Sequence, residues 1–236
     1  LLESSLKTAG RYIDMEMIQS NQTGTEIQLN LFEAIKDLLL VKPIFLIGVF
    51  LIGFFLFWIF NKDKTLPKLK ITVLSLVMYY YLCLMLVNIV GIPTLDEYKR
   101  LLQLGETFFN PNVNLIPFSD GFSLSFILNI FLFIPFGFLC PLISKSYERI
   151  RNTFLIGMGL SFFIEIVQLF TLYRATDIND LLTNGIGTIL GYLCFRLITR
   201  FRIVKRSSKG NSIKKDYTVY IPFIIILVTF VLGFFS

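Results

Sequence analysis

Apolar residues run along this chain in blocks of about twenty, separated by short polar segments, rather than as the narrow stripes of a water-soluble core. Six blocks stand out: Lys42–Phe60, Ile71–Ile92, Leu124–Ile143, Phe154–Tyr173, Leu181–Ile198 and Thr218–Phe235. Each matches the ~20 residues that a helix needs to cross a ~30 Å hydrocarbon layer. The pattern predicts an all-α, polytopic transmembrane helical bundle of about six spans. Two further stretches are amphipathic. In Ile27–Leu40, the residues Ile27, Leu31, Ile35 and Leu38 share one helix face, as expected of a helix lying at the membrane interface. Leu95–Phe109 is a second such segment, ended near Gly105. Residues 1–40 are thus expected to form an extracellular or interfacial N-terminal segment, and residues 41–236 one transmembrane domain without internal repeats.

Composition agrees: 55% of the residues are hydrophobic, and the mean hydropathy is +0.71. The net charge of +6 is mainly a statement about topology. Lys62, Lys64, Lys68 and Lys70 lie between spans one and two, and Lys145, Arg149 and Arg151 between three and four. Arg200, Arg202, Lys205, Arg206, Lys209, Lys214 and Lys215 lie between five and six. The intervening loops are acidic or nearly uncharged. Basic residues near span ends stay cytoplasmic, so both termini are expected outside. The last basic loop suits a tether to anionic inner-leaflet lipid better than a nucleic-acid site. Cys83, Cys140 and Cys194 fall inside spans without metal-like spacing and read as packing residues. With no histidine, Ser-His-Asp chemistry and histidine zinc sites are excluded. No signal-peptide pattern follows Leu1 and the first residue is not methionine, so the first residues are expected to be a trimmed or foreign end.

Polar residues inside spans are costly, so those present are informative. Ser161, Glu165 and Gln168 share one face of span four, with Glu165 expected near mid-span. Asp180, Asn184, Gly187 and Gly191 share one face of span five. At ~1.5 Å per residue, Glu165 lies about 12 Å, Asn184 about 10 Å and Asn129 about 7 Å from the outer span ends. Three helices are therefore expected to aim polar groups at one outward-opening pocket. Plainer readings stand beside this one. Asp177 and Asp180 suit an N-cap and a carboxylate favoured by the helix dipole. Asn129 and Gln168 suit interhelical hydrogen bonds, and Gly187 with Gly191 suits helix packing. Pro135 and Gly137 suit a kink. Arg174 suits either an ion pair with these carboxylates or an anion clamp.

The ordered segments "NLIPF" (Asn114–Phe118), "NIFLFIPFGFLCPLI" (Asn129–Ile143), "SFFIEIVQLF" (Ser161–Phe170) and "RATDINDLLTNGIGTILGY" (Arg174–Tyr192) resemble the VanZ-like family of bacterial membrane proteins. The resemblance covers about residues 114–192, while spans one, two and six carry no comparable signature. It implies a multi-pass protein of the bacterial cell membrane. It carries over Asn114, Asn129, Glu165, Gln168, Arg174, Asp177, Asp180 and Asn184 as the polar signature. The family's founding member accompanies glycopeptide-resistance genes and raises resistance to teicoplanin-type antibiotics.

Two readings from different classes follow. In the first, a non-enzymatic envelope protein uses its outer polar pocket to bind a lipid-linked cell-wall precursor or a lipoglycopeptide among the membrane lipids, without a cofactor. In the second, an intramembrane enzyme acts on a lipid-linked substrate with Glu165 as the candidate catalytic base. Asp177, Asp180 and Asn184 would then hold magnesium through oxygen ligands. An ion-coupled transporter is a third reading. The first is preferred, because no nucleophile is evident.

Overall fold

The computed structural model describes residues 36, 42–105, 109, 113–114, 124–171, 176–201 and 216–236. The chain divides into two units, Leu1–Leu40 and Val41–Ser236. The interfacial helix expected over Ile27–Leu40 lies outside the described residues except for Lys36, and so does the basic loop from Arg202 to Lys215.

The described part of the second unit is an all-α bundle. Its helices are α1 (Phe45–Lys62), α2 (Lys68–Cys83), α3 (Leu95–Leu104), α4 (Leu124–Ile143), α5 (Ile150–Gln168), α6 (Ile178–Phe201) and α7 (Tyr220–Phe234). A π-helical stretch, Leu84–Val90, continues α2, and short 3-10 turns precede α5 and α7. Two two-residue strands, β1 (Val113–Asn114) and β2 (Thr176–Asp177), pair in parallel. Among the described residues, six helical segments are long and apolar enough to cross a membrane. Their outward faces agree: Phe50 and Phe54 are 79% and 76% exposed, which suits lipid and not water. This is a multi-pass membrane protein.

The helix boundaries have local causes. Asp63 ends α1 and accepts hydrogen bonds from the Thr65 N–H and hydroxyl at 3.0 and 2.6 Å, turning the chain into α2. Gly48 on α1 leaves room for Tyr79, whose hydroxyl donates to the Phe45 carbonyl at 2.8 Å. Gly91, at φ 68°, stops the π-helical stretch in the left-handed conformation that glycine adopts without strain. The amphipathic α3 begins at a Thr94 cap that accepts the Glu97 N–H at 3.3 Å and ends before Gly105, as the pattern predicts.

Packing is tightest where α6 lies against α4. A Cβ on Gly187 would collide with the Ile130 carbonyl, and one on Gly191 with the Ile134 carbonyl and the Phe138 nitrogen. Without a hydrophobic drive between helices in lipid, such close backbone approach is a main source of association. Gly137, expected as a kink residue, also lies against the Thr188 backbone, so it belongs to the same seam. Pro135 and Pro141 sit within a continuous α4.

The two ends of the bundle differ in kind. At the basic end, near Lys62, Lys145 and Arg200, Asp216 ties the turn after α4 to the start of α7. It accepts hydrogen bonds from the Ser144 and Ser146 hydroxyls, both at 2.8 Å. The Ser146 N–H, the Thr218 N–H and the Thr218 hydroxyl also donate to it. The Tyr147 hydroxyl adds a bond to the Val219 carbonyl at 2.8 Å. The opposite, acidic end holds the C-terminus of α5, the N-terminus of α6 and α3.

A polar cavity at the acidic end of the bundle

The expected span four, Phe154–Tyr173, is shifted in the structure: α5 runs from Ile150 and stops at Gln168. Glu165 is therefore in the last turn of its helix, about 4.5 Å from its end, and not at mid-span. Early termination places the carboxylate beside the start of α6. Glu165 Oε2 accepts the Asp177 N–H at 3.1 Å, so a carboxyl oxygen faces the positive end of the α6 dipole. The Asp180 and Asp177 carboxyl groups lie nearby.

Asp177 caps α6 itself, its Oδ1 accepting the Asn179 N–H at 2.9 Å. The plainer reading of this residue is thus present in the geometry. The Asn114 backbone pairs with Asp177 through the short parallel ladder, so three sequence segments meet at this rim. Arg174 lies outside the described residues.

One turn deeper, the pairing differs from the matched depths expected for Glu165 and Asn184. Asn184 Nδ2 donates to Ser161 Oγ at 2.9 Å, because α5 ends early and its register against α6 shifts accordingly. Asn129 Nδ2 donates to Asp180 Oδ1 at 2.7 Å across α4 and α6. An amide nitrogen only donates, which fixes the direction of that bond.

Between these helices and the π-helical end of α2 lies a cavity of about 210 Å³. Its polar lining comes from Ser125, Asn129, Gln168, Asp180 and Asn184, and its apolar lining includes Ile89, Leu132, Phe133 and Ile164. Gln168 and Asn184 are each 5% exposed. Gln168 Oε1 and Asn184 Oδ1 have no hydrogen-bond partner among the described residues. Such atoms are costly to bury. Gln168 therefore does not act here as an interhelical hydrogen-bond partner through this oxygen.

The magnesium set of the enzymatic reading is not gathered around this space. Asp180 and Asn184 line it, but Asp177 does not, its Oδ1 being used in the α6 cap. Among the described residues, no group of three or more Asp, Glu, Cys or His could hold a metal ion. Ser125 is a lining residue that the sequence reading missed, although it sits one turn before Asn129 on the same face. Thr188 was missed as well; its side chain fills the space above Gly157, a contact with no signal in spacing alone. Cys83 and Cys140 are buried as expected of packing residues, whereas Cys194 is exposed on the outer face of α6.

Fold and cavity together define a six-span helical membrane protein with a small polar chamber at one end of its α4–α5–α6 core. The family model for VanZ/LLP1 matches residues 77–199, over half of the chain, and the protein belongs to this family. The match begins within α2, so it extends beyond the segment that the sequence motifs mark and takes in the π-helical wall of the cavity. Protein VanZ of Enterococcus faecium is 35% identical over 88 residues, which cover 36% of this chain. The aligned part spans about half, 53%, of that relative's length. No solved structure matches the chain.

Proposed function

We propose that this chain is a VanZ-like protein of the bacterial cell envelope that lowers susceptibility to lipoglycopeptide antibiotics of the teicoplanin type. It does so by binding or remodelling a lipid-linked or acylated molecule at the outer leaflet, with the polar cavity as the recognition site. The observation that carries the reading is the cavity itself, with its polar lining of Ser125, Asn129, Gln168, Asp180 and Asn184. Membership of the VanZ/LLP1 family supports the cellular role. The charge pattern supports the orientation. Lys62, Lys64, Lys145, Arg149 and Arg151 lie at the end opposite the cavity, which under the positive-inside rule favours an outward-facing cavity.

The test is antibiotic susceptibility in a sensitive Gram-positive host at matched membrane expression. Wild type should protect against teicoplanin and not against vancomycin, and Glu165→Gln and Asp180→Asn should each reduce that protection. Absence of protection by well-expressed wild type would overturn the resistance role.

A further inference from the structure

Away from the polar cavity, α5 and the start of α7 meet at the basic end of the bundle, where the Tyr147 hydroxyl donates to the Val219 carbonyl at 2.8 Å. They meet again farther along, where the Phe163 ring packs edge-on against Phe230 with centroids 4.6 Å apart. Between these contacts lies a groove of about 530 Å³, walled by Leu155, Ile156, Leu160, Phe223 and Ile226. Gly159 widens it, since a Cβ there would meet nothing within 4 Å. The two polar side chains of the lining, Tyr147 and Asn152, are both bonded within the protein, Asn152 Nδ2 to the Ser146 carbonyl at 2.7 Å. The groove therefore offers hydrocarbon contact along its length. From Asn152 to Phe163 its α5 wall is about 16 Å long, about half of the ~30 Å hydrocarbon layer. That is the depth of one leaflet.

We propose that this groove holds an acyl chain of an anionic phospholipid whose headgroup lies at the basic end. Charge complementarity selects the headgroup. Lys145, Arg149 and Arg151 alternate along the chain with the lining residues Tyr147 and Asn152, and all three basic side chains are exposed. Glu148 is the one acid in this turn, so the local balance stays positive. The first turn of α5 carries no acidic residue, and its helix dipole adds to the positive sign. Each basic residue near the surface favours an anionic over a zwitterionic headgroup by about fivefold. A second copy packed side by side about a two-fold axis along the membrane normal would instead bring the same basic turns together, which like-charge repulsion disfavours.

The experiment uses the full chain in phosphatidylcholine vesicles and reads tryptophan quenching by lipids brominated on the acyl chain. Trp58 is the one tryptophan, so Trp58→Phe combined with Phe223→Trp puts a single reporter on the groove wall. Brominated phosphatidylglycerol should compete for this site about tenfold or more better than brominated phosphatidylcholine. Arg149→Gln and Arg151→Gln should each lower that preference about fivefold. Unaltered Trp58, 41% exposed on α1 at the same end and beside Lys62, reports lipid outside the groove and should show a preference several-fold smaller. Equal preference at the two reporters would assign the effect to the basic end as a whole and overturn the proposal. So would a groove reporter that neither lipid quenches, as a protein occupant would give. Wild type supplies a reading that needs no variant to fold. Released from nanodiscs of equal phosphatidylglycerol and phosphatidylcholine content, it should retain phosphatidylglycerol in native mass spectrometry. Gly159→Leu, which fills the groove, should lose that lipid. Retention of both lipids alike, a lipid-free dimer, or undiminished retention by Gly159→Leu would each overturn the assignment.

Discussion

Asn129 on α4 and Asp180 on α6 are 51 positions apart in the chain, and their side chains meet at 2.7 Å. The bond fixes one wall of the cavity and orients the carboxylate that faces it. Asn129→Ala should therefore lower stability by about 1.5–3 kcal/mol, the usual contribution of a hydrogen bond to a charged group. Asn129→Asp should cost more, because it sets two carboxylates face to face. Thermal unfolding of the purified variants in detergent measures both; equal stability of all three proteins would show that the bond contributes nothing.

The α4–α6 seam should tolerate no side-chain growth. Gly191→Val and Gly137→Val place methyl groups into backbone atoms of the facing helix, so both should fail to accumulate as folded protein. Gly53→Ala and Gly159→Ala meet nothing within 4 Å and should be neutral, or stabilising by up to about 1 kcal/mol through helix propensity. Fluorescence-detected size exclusion of the four variants separates the two classes.

Glu165→Gln and Glu165→Ala should behave differently. The glutamine carbonyl can still accept the Asp177 N–H, so the tie between α5 and α6 persists. Alanine removes the acceptor and should cost about 1–2 kcal/mol. Protease resistance of the loop between the two helices, compared across the three proteins, reads this contact. Loss of resistance in both variants would mean that other interactions of the carboxyl group, and not this bond, hold the loop.

Acid should act at the other end of the bundle. Burial alone would push the Asp216 carboxyl up, but hydrogen bonds from Thr218, Ser144 and Ser146 outweigh it and hold the group below the ordinary carboxylate value. A carboxylate depressed in the folded state contributes stability above its unfolded pKa of ~3.9 and loses it as pH falls through the folded value. The Asp216 contribution should thus be complete at neutral pH and disappear only below about pH 4. Asp216→Asn should lower stability at pH 7 by roughly 2–3 kcal/mol and remove this part of the acid dependence. Melting curves from pH 3 to 7 for both proteins test the sign.

Orientation is open to a direct measurement. Asp96→Cys at the acidic end should react with a membrane-impermeant maleimide in intact cells, and Lys64→Cys only after permeabilisation. The native cysteines should add little signal, since Cys83 and Cys140 are buried and Cys194 lies within α6. The opposite labelling pattern would invert the topology and place the cavity on the cytoplasmic side.

Much of this was legible in the chain because bilayer thickness imposes one length on every span. Leu124–Ile143 coincides with α4, and the other spans shift by a few residues at their ends. The shift at α5 mattered most. Phe170 and Tyr173 are apolar enough to extend a span on hydropathy, yet the helix stops at Gln168, and two turns of expected depth became one for Glu165. The close approach at Gly137 was hidden for another reason. A glycine near prolines reads as a kink until the facing backbone is known.

The sequence by itself determined the number of spans, the sign of charge at each end and the set of polar residues worth following, because desolvation in lipid penalises every charge and every unpaired backbone group. Only the tertiary structure decided how those residues pair. Register between α5 and α6 joins Ser161 to Asn184 and Glu165 to the Asp177 backbone, and α4 supplies Asn129 to Asp180. That Gln168 Oε1 and Asn184 Oδ1 find no donor among the described residues follows from that register. Spacing along one helix sets which face a residue occupies, but the helix termini and glycine seams of its neighbours set what that face meets.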